Sequence, residues 1–212
     1  MVKTIALFGA TGRTGQHFLN IALEAGFSVK ALVRNPAKLN VSHSQLSVLK
    51  GDVLNRRDVE ETVSGTDLVV SLFGHVKGSP KWLQTDGTRH IVEAMKTCKV
   101  KRIISLSGGG LPYPEKDQPK LADKLIRSIM KLLVPHILED AKHHHEVLAE
   151  SNTIWTIVRA PRLTNAKRQG FYRVGWVGEN ASTKISRADL ADFILNQIKD
   201  ETYSYQMPFV SG

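Results

Sequence analysis

The sequence predicts an α/β protein: a doubly wound, mostly parallel sheet of the Rossmann type with a small C-terminal lobe on the substrate side. Three observations predict it. A short apolar run, "TIALF", passes directly into a glycine turn, "GATGRTG", and then a helical pattern. Further apolar runs alternate with helical patterns through most of the chain. Each run is apolar nearly throughout, as in a parallel strand covered on both faces, and right-handed crossovers then wind the sheet both ways. The 212 residues suit one domain, spanning 1–212, with a core that needs no staples.

The elements follow in order. Thr4 to Phe8 is the first strand, bounded by Gly9. Thr14 to Ala25 places Phe18, Leu19, Ala22 and Leu23 on one side of a helix, and Gly26 stops it. "SVKALVR" and "LSVLKGDV" are the second and third strands, and "RRDVEETV" is a short helix. "TDLVVSLFG" is the fourth strand, Thr85 to Cys98 a helix, and "KRIISLS" the fifth strand. "LPYPEKDQP" has three prolines in nine residues and is a loop. Leu121 to Leu133 is amphipathic, with Leu121, Leu125, Ile129 and Leu132 on one face and Lys124, Arg127 and Lys131 largely opposite. Such a basic helix can meet a membrane or a partner. The simpler expectation is that it packs on its own domain with its lysines snorkelling. Glu139 to Ser151 is another helix, "TIWTIVRAP" the sixth strand, "GFYRVGW" a short strand, Arg187 to Ile198 a closing helix and "YQMPFVS" an edge strand. Segments 109–150 and 162–186 are expected to supply the substrate side.

Composition narrows the function. Apolar residues are 42% and charged residues 23%, ordinary for a soluble globular protein. No apolar run approaches the ~20 residues of a membrane span. The N-terminus runs straight into a strand without a signal peptide's apolar region and cleavage site. Cys98 is the only cysteine, so no intrachain disulfide can form, and a reducing cytoplasm is expected. The net charge of +9 fits a phosphorylated ligand or a polyanion such as nucleic acid. The cations are scattered, so a basic soluble surface is expected before a nucleic-acid interface.

The glycine turn carries the chemistry. Gly9, Gly12 and Gly15 lie between a predicted strand and a predicted helix. The chain must turn sharply there, and a Cβ would hold a diphosphate away from the backbone. The helix amides and dipole then meet the anion. The second strand ends on Arg34, where NAD-preferring binders carry an acid for the ribose hydroxyls. With Lys38 nearby and Arg13 in the turn, a 2′-phosphate is favoured, so the cofactor is expected to be NADP(H). Asp52 and Val53 end the third strand, where Asp52 either accepts from adenine or starts a turn. Leu72, Phe73 and Gly74 end the fourth strand and should run beside the cofactor.

"GATGRTG", "LVRNPAKL", "GDV", "ISLSGGG" and "WTIVRAPRLT" together resemble the atypical short-chain dehydrogenase/reductases with an NmrA-like NAD(P)-binding domain, and within them the flavin and biliverdin reductases. The resemblance spans nearly the whole chain. It implies that Gly9, Thr11, Gly12, Arg13, Thr14 and Gly15 bind the diphosphate and Arg34 the 2′-phosphate. It implies that Asp52 and Val53 frame the adenine, and that Leu72, Phe73 and Gly74 follow the ribose. Ser107 and Gly108 would then lie near the nicotinamide, with Pro161 and Arg162 closing the other side. His145 aligns with a histidine near the substrate pocket of flavin-reductase-like members. Ser107 takes the place of a threonine, and Gly108 that of a serine, in their pattern.

The catalytic set is incomplete. Orthodox relatives carry a tyrosine four residues before a lysine, one helical turn, so that the lysine lowers the tyrosine's pKa. Tyr113 and Lys116 lie among prolines and too early in the chain. The helix before the sixth strand has Lys142 but no tyrosine. Ser107 and His145 remain as the catalytic candidates. Three consecutive histidines, His143 to His145, point in three directions and make no metal site. Hydride transfer to a flat acceptor needs stacking more than acid–base groups. The expectation is an NADPH-dependent reductase of a flavin, quinone or biliverdin-like acceptor, monomeric or homodimeric. A non-catalytic NADP(H) sensor is the rival. A sugar-nucleotide epimerase is weakened by the missing pair.

Overall fold

The computed structural model describes residues 3–212. Five parallel crossovers build its centre: β1 (Thr4–Phe8), α1 (Arg13–Glu24), β2 (Ser28–Val33), β3 (Leu46–Lys50), α2 (Arg56–Val63), β4 (Leu68–Ser71), α3 (Leu83–Cys98), β5 (Arg102–Gly108), α4 (Leu121–Leu133), α5 (Pro135–Ala149) and β6 (Ile154–Ala160). The chain closes with β7 (Arg162–Thr164), β8 (Arg173–Gly175), β9 (Lys184–Ser186), α6 (Arg187–Asn196) and β10 (Phe209–Ser211). One sheet of eight strands runs β3-β2-β1-β4-β5-β6-β10-β8. The order reverses beside β1, between β2 and β4, which is where ligands sit in open α/β sheets.

Period-two burial explains the two layers. In β1, Ile5 and Leu7 join Phe18 and Leu19 of α1 and Leu190 and Phe193 of α6 in one core. Ala6 and Phe8 join Val59 of α2, Ile91 and Met95 of α3 and Leu148 of α5 in the other. Because both faces are covered, the strand has no polar alternation to display.

Several expectations are adjusted. "YQMPFVS" is not an edge: β10 lies between β6, to which it is parallel, and β8, to which it is antiparallel, so β8 is the edge. β7 and β9 form a separate parallel pair with no counterpart in the apolar pattern, since three residues give too short a run to read. α5 begins at Pro135, four residues before the expected Glu139, with proline at its first position, where no N–H is needed. α4 has the expected bounds but the opposite orientation. It buries no residue, and its apolar face points to solvent instead of the domain.

Candidate dinucleotide and acceptor site

The glycine turn has the close contacts that its sequence requires. Gly9 has φ +88°, and a Cβ there would lie 2.5 Å from the Phe73 nitrogen at the end of β4. A Cβ on Gly15 would meet the Gly9 oxygen at 2.1 Å. Glycine is therefore required at both by the turn's own packing. Gly12 is the N-cap of α1 and has no side chain to cap the helix, and the first turn holds no acid. The leading amides of α1 thus fit an anionic diphosphate. Thr14 is buried beneath the turn, while Thr11 accepts from the Gln16 side chain through its carbonyl, 3.3 Å away.

Arg13 lies within this turn, Arg34 directly follows β2, and Lys38 lies four residues further on. Arg13, Arg34 and Lys38 are exposed, and none of their side chains makes an ion pair or hydrogen bond among the described residues. Lys38 ends a short 3-10 turn, Pro36–Lys38, capped by Asn35. Arg187, at the start of α6, lies within electrostatic reach of Arg13 and donates to Asn165 Oδ1 at 2.7 Å. Burial holds its guanidinium pKa below the usual value, and the positive charge of Arg13 adds to this. At the end of β3, Asp52 does start a turn, accepting from the Leu54 amide at 3.0 Å. Val53 lies against α3, whose Gly87 leaves room for both Val53 and Phe73: a Cβ there would meet their side chains at 3.0 and 2.8 Å.

The end of β4 is held by a buried network invisible in the linear sequence. Asp140 of α5 is fully buried and accepts from the Gln84 and Thr85 amides at 2.8 and 2.9 Å, capping α3, whose own N-cap Trp82 provides no side-chain bond. Asp140 also meets His75 Nε2 at 2.6 Å. Gln84 donates to the Phe73 and Leu106 carbonyls, each at 3.4 Å. Leu72, Phe73 and Gly74 are thereby fixed beside the glycine turn.

A mostly apolar cavity of about 540 Å³ lies off the C-terminal ends of β5 and β6. Gly108 to Gly110, Ala160, Pro161, Arg162, Phe209, Val177 and the inner residues of α4 line it. Gly108 has open space where a Cβ would be. Gly109 has none, since a Cβ would lie 2.7 Å from the Phe209 ring. Ser107, the preceding residue, is buried, and its Oγ has no hydrogen-bond partner among the described residues. Ser107 itself does not line the cavity, which begins at Gly108.

The other candidates lie elsewhere. His145 is half-buried against Trp155, with ring centroids 5.5 Å apart. Trp155 pairs with Ile103 near the start of β5 and β6, whereas Ser107 pairs with Arg159 near their end, about 13 Å along. The structure does not bring His145 to the cavity. Its neighbour His144 is wholly enclosed, with Nε2 2.9 Å from Ser105 Oγ, and burial pushes its pKa down to about 4. Tyr113 has its edge toward Trp176, and burial raises its phenol pKa, the opposite of an activated tyrosine. The loop around it is organised by Asp117. This carboxylate takes two bonds from Arg159, at 2.7 and 2.8 Å, and further bonds from the Tyr113 and Val177 amides. Burial works to raise the pKa of Asp117, but Arg159's hydrogen bonds and charge outweigh it and hold the carboxyl below its usual range.

The chain is similar to several known proteins. A protein from Bacillus subtilis (strain 168), YwnB, is 26% identical over 202 residues, covering 92% of each chain. Reductase pytE of Aspergillus terreus is 28% identical over 207 residues, 78% of this chain and 77% of that one. Cinnamoyl-CoA reductase 1 of Petunia hybrida is 25% identical over 135 residues, and the match covers only 40% of its length. Among solved structures, a short-chain dehydrogenase/reductase from Veillonella parvula DSM 2008 in complex with NADP superposes with a TM-score of 0.80 at 20% identity, over 100% of this chain and 95% of that one. The oxidoreductase ylbE from Lactococcus lactis gives 0.81 at 18% identity, over 99% and 90%. Both share the fold. The description of the NAD(P)H-binding family matches residues 9–201, from the first glycine of the turn to beyond α6, and the chain belongs to that family.

Proposed function

We propose that the protein is an NADPH-dependent reductase that delivers hydride to a flat acceptor such as a flavin, a quinone or a biliverdin-like tetrapyrrole. The observation that carries the reading is the apolar cavity against Gly108 to Gly110, beside a helix, α5, that has no tyrosine. NADPH bound along the glycine turn would supply the hydride. Arg34, Arg13 and Lys38 select the 2′-phosphate by charge. The α1 amides hold the diphosphate, and Phe73 and Val53 offer apolar surface beside it. Gly108 leaves the cavity floor open so that a planar ring can approach. No protein acid is required, since a flavin or quinone can take its proton from water. His145 has no role in this scheme. The segments 109–150 and 162–186 act as the substrate side: Ile126, Met130, Arg162 and Val177 all line the cavity.

The test is NADPH oxidation by the purified protein against a panel of flavins, quinones and tetrapyrroles. Turnover above buffer with at least one acceptor is expected. NADPH that binds and is never oxidised by any of them would sink the reductase reading and favour an NADP(H) sensor.

A further inference from the structure

α4 is unused by the reductase reading except for its inner side. Asp123, Arg127 and Met130 face the domain and the cavity. Its outer side is apolar: Leu121, Leu125, Ile129, Leu132 and Leu133 are 48–85% exposed. No residue of the helix is buried. Monomeric proteins seldom leave so continuous an apolar strip in water, because covering it is favourable in proportion to its area.

The charge beside the strip indicates what covers it. Lys120, Lys124 and Lys131 follow one another along a single flank. The one acid of the helix, Asp123, accepts from the Lys120 amide at 2.9 Å and faces the cavity, so it does not neutralise that flank. The chain as a whole carries +9. A second copy packed antiparallel, strip against strip, would bring the same row of cations to both sides of one seam, and like charges there oppose the contact. An anionic surface with an apolar interior complements both the strip and the flank.

We propose that α4 docks the protein on an anionic lipid surface. Leu121, Leu125, Ile129 and Leu132 enter the acyl boundary, while Lys124 and Lys131 remain among the headgroups. The proposal goes beyond the reductase reading and does not depend on it.

Cosedimentation with lipid vesicles tests it. The full chain should bind vesicles of phosphatidylcholine mixed with phosphatidylserine, bind pure phosphatidylcholine at least about tenfold more weakly, and lose affinity as salt rises. Leu125→Asp with Leu132→Asp should abolish binding, and Lys124→Glu with Lys131→Glu should weaken it about tenfold or more. These side chains are exposed, so unchanged circular dichroism and thermal unfolding would confirm that the variants still fold. No binding by the unmodified chain to anionic vesicles would overturn the proposal. So would equal binding by the folded variants. A concentration-dependent dimer that Leu125→Asp dissolves, in a chain that ignores vesicles, would assign the strip to a second copy.

Discussion

Arg34 directly follows β2, and no acid pairs with it among the described residues. A guanidinium there can take a 2′-phosphate in a bidentate grip, and charge-assisted bonds of this kind contribute ~1.5–3 kcal/mol each. Arg34→Glu should therefore weaken NADPH about tenfold or more while changing NADH little, as read by fluorescence titration of both cofactors. Equal losses for both would remove the 2′-phosphate argument. His144 offers a test by pH. Its folded pKa, about 4, lies below the ordinary histidine value of 6.5, so the unfolded chain binds the extra proton first as pH falls. Stability is then full above about pH 6.5, declines between there and about 4, and levels off below, with a total loss of ~3 kcal/mol. His144→Gln should flatten that slope in urea unfolding measured across this window. Arg34 can be read in a sequence because its meaning depends on its distance from a strand end. His144 cannot, because its meaning depends on Ser105, which lies 39 residues away.

Among the elements, the turn into α1 is the most legible, since Gly9 and Gly15 are needed for contacts made within or beside the turn itself. The loop at Tyr113 is the least legible. Its prolines exclude a helix, but they do not reveal that Asp117 anchors it to Arg159 of β6. That pair is almost fully enclosed, and Arg159 also donates to the Leu111 and Met207 carbonyls. Asp117→Ala should leave a buried guanidinium without its counter-charge, at a cost of ~3–5 kcal/mol. Chemical unfolding would measure it, and a loss under ~1 kcal/mol would mean that water or a neighbouring group takes the carboxylate's place. α4 shows how far an amphipathic pattern can be read. Its period places the apolar side chains on one face, yet the same pattern serves a helix packed inward or one facing outward.

Across the whole molecule, the doubly wound sheet follows from local signals that agree with one another. Apolar runs, helical periods and punctuating glycines each indicate the same alternation, and handed crossovers leave few ways to assemble it. The cofactor end was legible for the same reason: strand, turn and helix are contiguous, so their contacts are built from neighbouring residues. The acceptor end was not. Its cavity is assembled from α4, the ends of β5 and β6, Val177 and Phe209, which are distant in sequence and meet only when β10 inserts between β6 and β8. Asp140 caps α3 from another helix, and His145, chosen by resemblance, turns toward Trp155 and away from the cavity. The amino-acid order alone thus settled the fold class and the dinucleotide turn, because those depend on short-range periodicity and backbone sterics. The partners of buried polar groups, the shape of the cavity and the outward face of α4 were settled by packing, because each depends on which distant surfaces the folded chain brings into contact.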